Sequence, residues 1–265
     1  MDFFSDITTW LLIGAAFGAG LVDAIAGGGG LITLPALLIA GMAPVTALGT
    51  NKLQSLFGSL SATLAYTRAG YVDLKKQWLE ALLAGLGGVA GALVATGLPA
   101  SVLQTFLPAL LVLVALYFAF KPNLDDSDRA RRMGLLVFTC TVAPLIGFYD
   151  GAFGPGTGSF FMLAFVSLAG FGVLKATAHT KLLNFSSNIG GFAAFCLVGA
   201  INWKIGLAMG IAQFAGAQIG ARLAIKTGSV LIKPLLVAIC LVLAVKLLSD
   251  PANPLRQFVQ HLAYH

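Results

Sequence analysis

The chain has 265 residues, 10% charged and 58% hydrophobic, with a formal net charge of +6. Soluble proteins average ~25% charged residues, so charge this sparse cannot cover a globular surface of this size in water. With a mean hydropathy of +0.92, the composition excludes an ordinary soluble enzyme and a disordered chain.

The basic residues are scattered between apolar runs and form no basic face. Nucleic acid is therefore not an expected partner, despite a pI of about 9.4. What remains is an all-α polytopic membrane protein with the lipid bilayer as its surroundings. At ~20 residues per span, the length allows about eight to ten helical segments.

In chain order the apolar runs are 8–26, 31–40, 45–66, 78–98, 101–120, 133–153, 159–169, 173–200, 205–225 and 230–248. The N-terminus lacks a basic n-region, so a cleaved signal peptide is not expected. Run 31–40 would be only ~15 Å long as a helix, too short for a ~30 Å hydrocarbon core. It follows Gly27-Gly28-Gly29-Gly30, and run 159–169 follows Gly154-Pro155-Gly156-Thr157-Gly158. Short helices beside glycine clusters fit one broken or re-entrant segment per half, with the open backbone facing protein or water.

Landmarks recur along the chain. Gly20-Leu21-Val22-Asp23 matches Gly147-Phe148-Tyr149-Asp150 at an offset of 127. The run from Ala47 to Leu53, containing Thr50-Asn51-Lys52, matches Ala176 to Leu182, containing His179-Thr180-Lys181, at an offset of 129. Gly87 and Gly91 match Gly216 and Gly220, again at 129. Two homologous halves are expected: a first membrane repeat over 1–120, a charged cytoplasmic linker over 121–132 and a second repeat over 133–265. Duplications of this kind are typical of secondary transporters, whose sites form where the halves meet.

Arg68, Lys75 and Lys76 mark one cytoplasmic loop, and Lys121, Arg129, Arg131 and Arg132 mark another. If every run crosses, each half has five crossings, the halves are inverted and the termini lie outside. If the short runs are re-entrant, each half has four and the termini lie inside. The charge bias favours the inverted version.

Asp23, Lys52, Asp150 and Lys181 fall within or beside apolar runs at related positions. A charge at the bilayer centre costs ~2.5–3.5 kcal/mol, so four of them call for partners or a role. One reading is two internal salt bridges, or snorkelling near helix ends. The other has the lysines supply positive potential at a midplane site, while the aspartates anchor the glycine breaks or handle protons. A structural pair opened by substrate satisfies both.

Lys52 sits among Thr50, Asn51, Gln54 and Ser55, and Lys181 among His179, Thr180, Asn184, Ser186, Ser187 and Asn188. Such amides and hydroxyls serve either as interhelical glue or as oxyanion ligands. The glycine stretches lack the Gly-Lys-Ser/Thr ending of a phosphate loop, so an ATP site is unsupported. Gly28 and Gly30, with Gly156 and Gly158, either allow close packing or offer backbone N–H groups at helix N-termini to an anion. The Gly14/Gly18, Gly87/Gly91 and Gly216/Gly220 spacings read as close helix packing. His179 is a hydrogen-bonding residue or a proton carrier. Cys140, Cys196 and Cys240 show no metal spacing and read as plain apolar-run residues. No cofactor or metal is implied.

Asp23-Ala24-Ile25-Ala26-Gly27-Gly28-Gly29-Gly30, then Pro35, then Gly49-Thr50-Asn51-Lys52, resembles the first-half signature of the TauE/SafE sulfite exporter family, the 4-toluene sulfonate uptake permeases. Gly147-Phe148-Tyr149-Asp150-Gly151 through Lys175-Ala176-Thr177-Ala178-His179-Thr180-Lys181 is similar to its YfcA-type branch. The resemblance covers nearly the whole chain. It implies a multi-pass inner-membrane carrier, with members linked to sulfite, sulfonates and sulfoacetate. The motif residues carried over are Asp23, Gly28, Gly30, Pro35, Thr50, Asn51 and Lys52, then Asp150, Gly154, Gly158, His179 and Lys181. Asn51 faces Thr180 across the repeat, which breaks strict two-fold symmetry.

The expected function is secondary transport of a small anion, a sulfur oxyanion or organosulfonate, by alternating access between the repeats. Lys52 and Lys181 would neutralise it; Thr50, Asn51, Asn184 and the glycine N–H groups would donate hydrogen bonds. A channel or carrier for another small solute is one alternative, and a membrane-embedded assembly protein is another. An enzyme is not expected, because no metal set or nucleophile–base pairing is found. Substrate identity, transport direction, coupling ion and homo-oligomerisation stay open.

Overall fold

A computed structural model describes residues 6–99, 127–228 and 230. Run 101–120, linker residues 121–126 and nearly all of run 230–248 lie outside the described residues, as does Cys240. Within them, every regular element is helical.

Helix α1, Ile7–Ala26, starts where the Asp6 carboxylate accepts the Thr8 N–H and stops at Gly27, whose φ of 81° is left-handed. Helix α2, Gly29–Ile39, follows immediately. Helix α3, Pro44–Arg68, opens with proline in its first turn, where the missing N–H costs nothing. Helix α4, Leu74–Gly97, is capped by the Asp73 side chain bonding the Lys75 N–H. That cap corrects the expected charged loop: Lys75, Lys76 and Gln77 form the first turn of α4 instead of joining it to α3.

Helix α5, Leu135–Ala152, contains a π-helical turn at Phe138–Val142. Helix α6, Thr157–Ala169, ends in a second one at Phe165–Ala169. Helices α7, Val173–Leu197, and α8, Trp203–Thr227, are 25 residues each, and α8 is capped by the Asn202 side chain. By length and composition α1, α4 and α5 are apolar enough to cross a membrane. Helices α3 and α7 are diluted by their buried polar residues.

The exterior presents Trp10, Leu11, Leu86, Leu145, Ile211 and other large apolar side chains, while many alanines are fully buried and several helix glycines sit against a neighbouring backbone. This distribution suits a bilayer, where small residues let backbones approach and large apolar ones face lipid. Helix α1 packs on α8, α4 on α5 and α7, and α3 on α8 and α7. A methyl group on Gly91 would strike the Phe148 carbonyl, one on Gly87 the Pro144 carbonyl, and ones on Gly216 and Gly220 the Phe17 and Leu21 carbonyls. These two spacings are close-packing sites. Gly14 and Gly18 are different: a methyl group there meets nothing within 4 Å.

Candidate functional site

The two glycine breaks touch. The Ser159 N–H bonds the Gly27 carbonyl at 3.0 Å, and the Ser159 hydroxyl donates to the Ala26 carbonyl at 2.9 Å. A side chain on Gly27 would collide with the Gly158 and Ser159 backbone, and its φ of 81° is strained for any residue but glycine. The end of α1 and the start of α6 therefore meet backbone to backbone, beside four buried ionisable side chains, Asp23, Lys52, Asp150 and Lys181.

The charges pair crosswise. Lys52 of α3 lies 2.8 Å from Asp150 of α5, and Lys181 of α7 lies 3.4 Å from Asp23 of α1. Lys52 is 1% and Lys181 0% exposed. The second Asp150 oxygen accepts from the Ser187 hydroxyl at 2.6 Å. The second Asp23 oxygen accepts from the Gly29 N–H at 3.2 Å, and Lys181 also donates to the Asp23 carbonyl. The Lys52 stem runs over Gly191, where a methyl group would come within 3.1 Å of Cδ. Glycine there makes room for a lysine between α3 and α7.

Beside the pairs lies a polar cavity of about 20 Å³, room for about one water. Asp23, Gly27 and Gly30 line it from α1 and α2, and Asn51 and Ser55 from α3. Asp150, Gly154, Gly156, Thr157 and Gly158 line it from the second break, and Asn184 and Asn188 from α7. The Asn51 amide has a fixed orientation. Its oxygen accepts from the Thr33 hydroxyl at 2.7 Å and from the Gln54 amide at 2.8 Å. Its nitrogen is left on the Gly154 side of the cavity. Asn188 donates to the Asn184 side-chain oxygen at 3.1 Å and to its carbonyl at 2.7 Å.

Of the residues expected from sequence, Asn51, Asn184, Gly30, Gly156, Gly158, Asp23 and Asp150 line this cavity. Lys52 and Lys181 stand behind the aspartates and are met by them. Gly28 is the N-cap of α2 and is not a lining residue. Thr50 accepts the Asn202 N–H at 2.9 Å, tying α3 to the start of α8. His179 packs beside the Phe165 and Phe171 rings, with centroids 5.7 and 4.8 Å away. Gly154, one of the carried-over motif residues, and Ser55 and Asn188, read from sequence as polar neighbours of the lysines, also line the cavity, with Gly27 and Thr157. Ser55 and Asn188 follow Asn51 and Asn184 by four residues, on the same helix faces. Among the described residues there is no group of three His, Cys, Asp or Glu able to hold a metal.

The sulfite exporter TauE/SafE family matches residues 12–247. "Probable membrane transporter protein ORF9" of Sinorhizobium sp. is 60% identical over 93% of this chain and 95% of its own length. "Probable membrane transporter protein YfcA" of Escherichia coli K12 is 48% identical over 91% of each chain. A "Probable membrane transporter protein" of Haemophilus influenzae is 45% identical over 91% of this chain and 94% of its own. No solved structure matches the chain. A match over nearly the whole length, with relatives this similar, means that the chain belongs to the TauE/SafE family and is a membrane transporter.

Proposed function

We propose that this transporter is a secondary carrier of a small anion, a sulfur oxyanion or an organosulfonate of the sulfite, sulfonate or sulfoacetate type. The carrying observation is the convergence on one small polar cavity of two helix N-termini, those of α2 and α6, with Asn51, Asn184 and Asn188. Gly30 and Gly158 are the second residues of their helices, so their N–H groups have no carbonyl four residues back within the helix. Neutral donors at helix N-termini suit an oxyanion. The lysines add positive potential one layer behind. The sulfite exporter family description supports the sulfur chemistry.

In this reading α2 and α6 are the re-entrant segments of two duplicated halves, 1–120 and 133–265, joined by the cytoplasmic linker 121–132. The carrier is a multi-pass inner-membrane protein. A cavity of about 20 Å³ is too small for such an anion, so the described arrangement is a closed one. Entry requires the glycine contacts between the halves to part, one half rocking against the other. Purified protein in liposomes should move radiolabelled sulfite or sulfoacetate, and Lys52→Met with Lys181→Met should abolish that flux. Undiminished flux in the double variant sinks the proposed site.

One observation favours a second reading, a carrier or channel for a small cation. Asp23 and Asp150 line the cavity, whereas Lys52 and Lys181 are not among its lining residues. Cation uptake insensitive to loss of both lysines would favour it.

A further inference from the structure

We propose that anion transport by this chain is coupled to protons taken up on Asp23 and Asp150, so that the anion and its protons move together. The inference rests on the anion-carrier reading and adds its coupling ion. The starting point is a charge count at the cavity. Two aspartates and two lysines sum to zero, and of the four only the aspartates are lining residues of the cavity. An anion entering this small volume meets the aspartates, while the lysines are already paired with them.

A protonated carboxyl removes that obstacle and leaves its lysine as an uncompensated cation one layer from the anion. Two protons would balance a dianion and one a monoanion, so the loaded site stays near neutral. Each proton goes on from the side where the anion enters and comes off where it leaves. The surrounding groups permit this. Asp23 faces Lys181 from α7, the Gly29 N–H from α2, and from α3 Tyr66, whose hydroxyl donates to the Ala24 carbonyl at 2.9 Å. Asp150 faces Lys52 from α3 and Ser187 from α7, and its neighbour Tyr149 donates to the Pro155 carbonyl at 2.5 Å. Each carboxylate oxygen has one close donor, and a carboxylate has about four lone-pair positions, so a proton fits without displacing a partner.

The test uses wild-type protein in liposomes, with sulfite and sulfoacetate as probes in alkaline medium and the membrane potential clamped. Acidifying the outside should raise initial uptake several-fold, and a pH dye should record protons entering with the anion. Asp150→Asn and Asp23→Asn carry a neutral group in place of the protonated acid. Whatever anion flux they retain should no longer rise when the outside is acidified. Anion flux in wild type with no accompanying protons, or flux that follows a sodium gradient at fixed pH, overturns the coupling and leaves the anion carrier standing. No flux of any sulfur anion overturns both. Because the wild-type proton measurement needs no variant, a folding defect in either asparagine variant does not rescue the proposal.

Discussion

Lys52→Met separates the electrostatic role of the buried pair from its packing role. Methionine keeps most of the apolar stem that lies over Gly191, so what is removed is the charge. At the 2.8 Å separation of Lys52 and Asp150, the attraction is ~6 kcal/mol for an effective dielectric of ~20. Removing the lysine also recovers its own burial cost, several kcal/mol. What remains is the cost of stranding Asp150, with only Ser187 to bond it. Breaking a buried pair from one side costs ~3–5 kcal/mol, whereas replacing both partners by neutral groups is often neutral. Lys52→Met alone should therefore lose ~3–5 kcal/mol, on the order of 10 °C in midpoint at ~2–4 °C per kcal/mol. Lys52→Met with Asp150→Asn should recover most of that, since the amide oxygen introduced by the second substitution still accepts from the Ser187 hydroxyl. Equilibrium unfolding of the detergent-solubilised protein measures all three. A single variant within ~1 kcal/mol of wild type, or a double variant as unstable as the sum of its singles, would refute the reasoning.

Gly91→Ala places a methyl group on the Phe148 carbonyl and should cost ~1–3 kcal/mol. Gly18→Ala has open space and should be neutral or gain ~0.5–1 kcal/mol of helix propensity, so paired melts of the two variants discriminate a packing glycine from a bystander. Asp128 bonds Lys175 at 2.8 Å and the Gly172 N–H at 2.8 Å, which hold its carboxyl below the usual range. Its stabilising effect is therefore present above the unfolded value of ~3.9 and is lost as pH falls through the lower folded value. Because the pair is exposed, its worth is at most ~1 kcal/mol. Asp128→Asn should lower the protection of the Gly172 amide against exchange at a fixed near-neutral pH, and unchanged protection would contradict this role for the tether.

The helices were largely legible from hydropathy. Run 8–26 is Ile7–Ala26, run 205–225 lies inside Trp203–Thr227, and run 173–200 overshoots Val173–Leu197 by one turn. Starts were the weaker part, because a cap is a side-chain bond and leaves little trace in hydropathy. Asp73 illustrates it: a loop rich in lysine looks polar, yet one carboxylate accepting the Lys75 N–H turns Lys75, Lys76 and Gln77 into helix. The glycine pairs show the opposite limit. Gly14/Gly18 and Gly87/Gly91 have the same spacing, and only the second meets a neighbouring backbone. Spacing puts two glycines on one face, while what that face touches depends on tertiary packing.

The site was legible as a set of residue types and illegible as a set of partners. Recurrence at nearly constant offset singles out Asp23, Lys52, Asp150 and Lys181, because four charges in apolar sequence are too costly to be incidental. An offset cannot say which lysine meets which aspartate, since that depends on tertiary packing. In the crossed pairing the aspartates line the cavity and the lysines do not. The same limit applies to the amides. An offset of 129 sets Asn51 opposite Thr180 and Ser55 opposite Asn184, but the cavity takes Asn51 and Ser55 from α3 and Asn184 and Asn188 from α7. Thr180 instead bonds the Ala176 carbonyl of its own helix. The amide pair of α7 thus enters one turn further along than the pair of α3. A ligand in this space meets an oriented Asn51 amide on one side and a coupled Asn184–Asn188 pair on the other, so the two sides of the site differ in donors even where the sequence repeats.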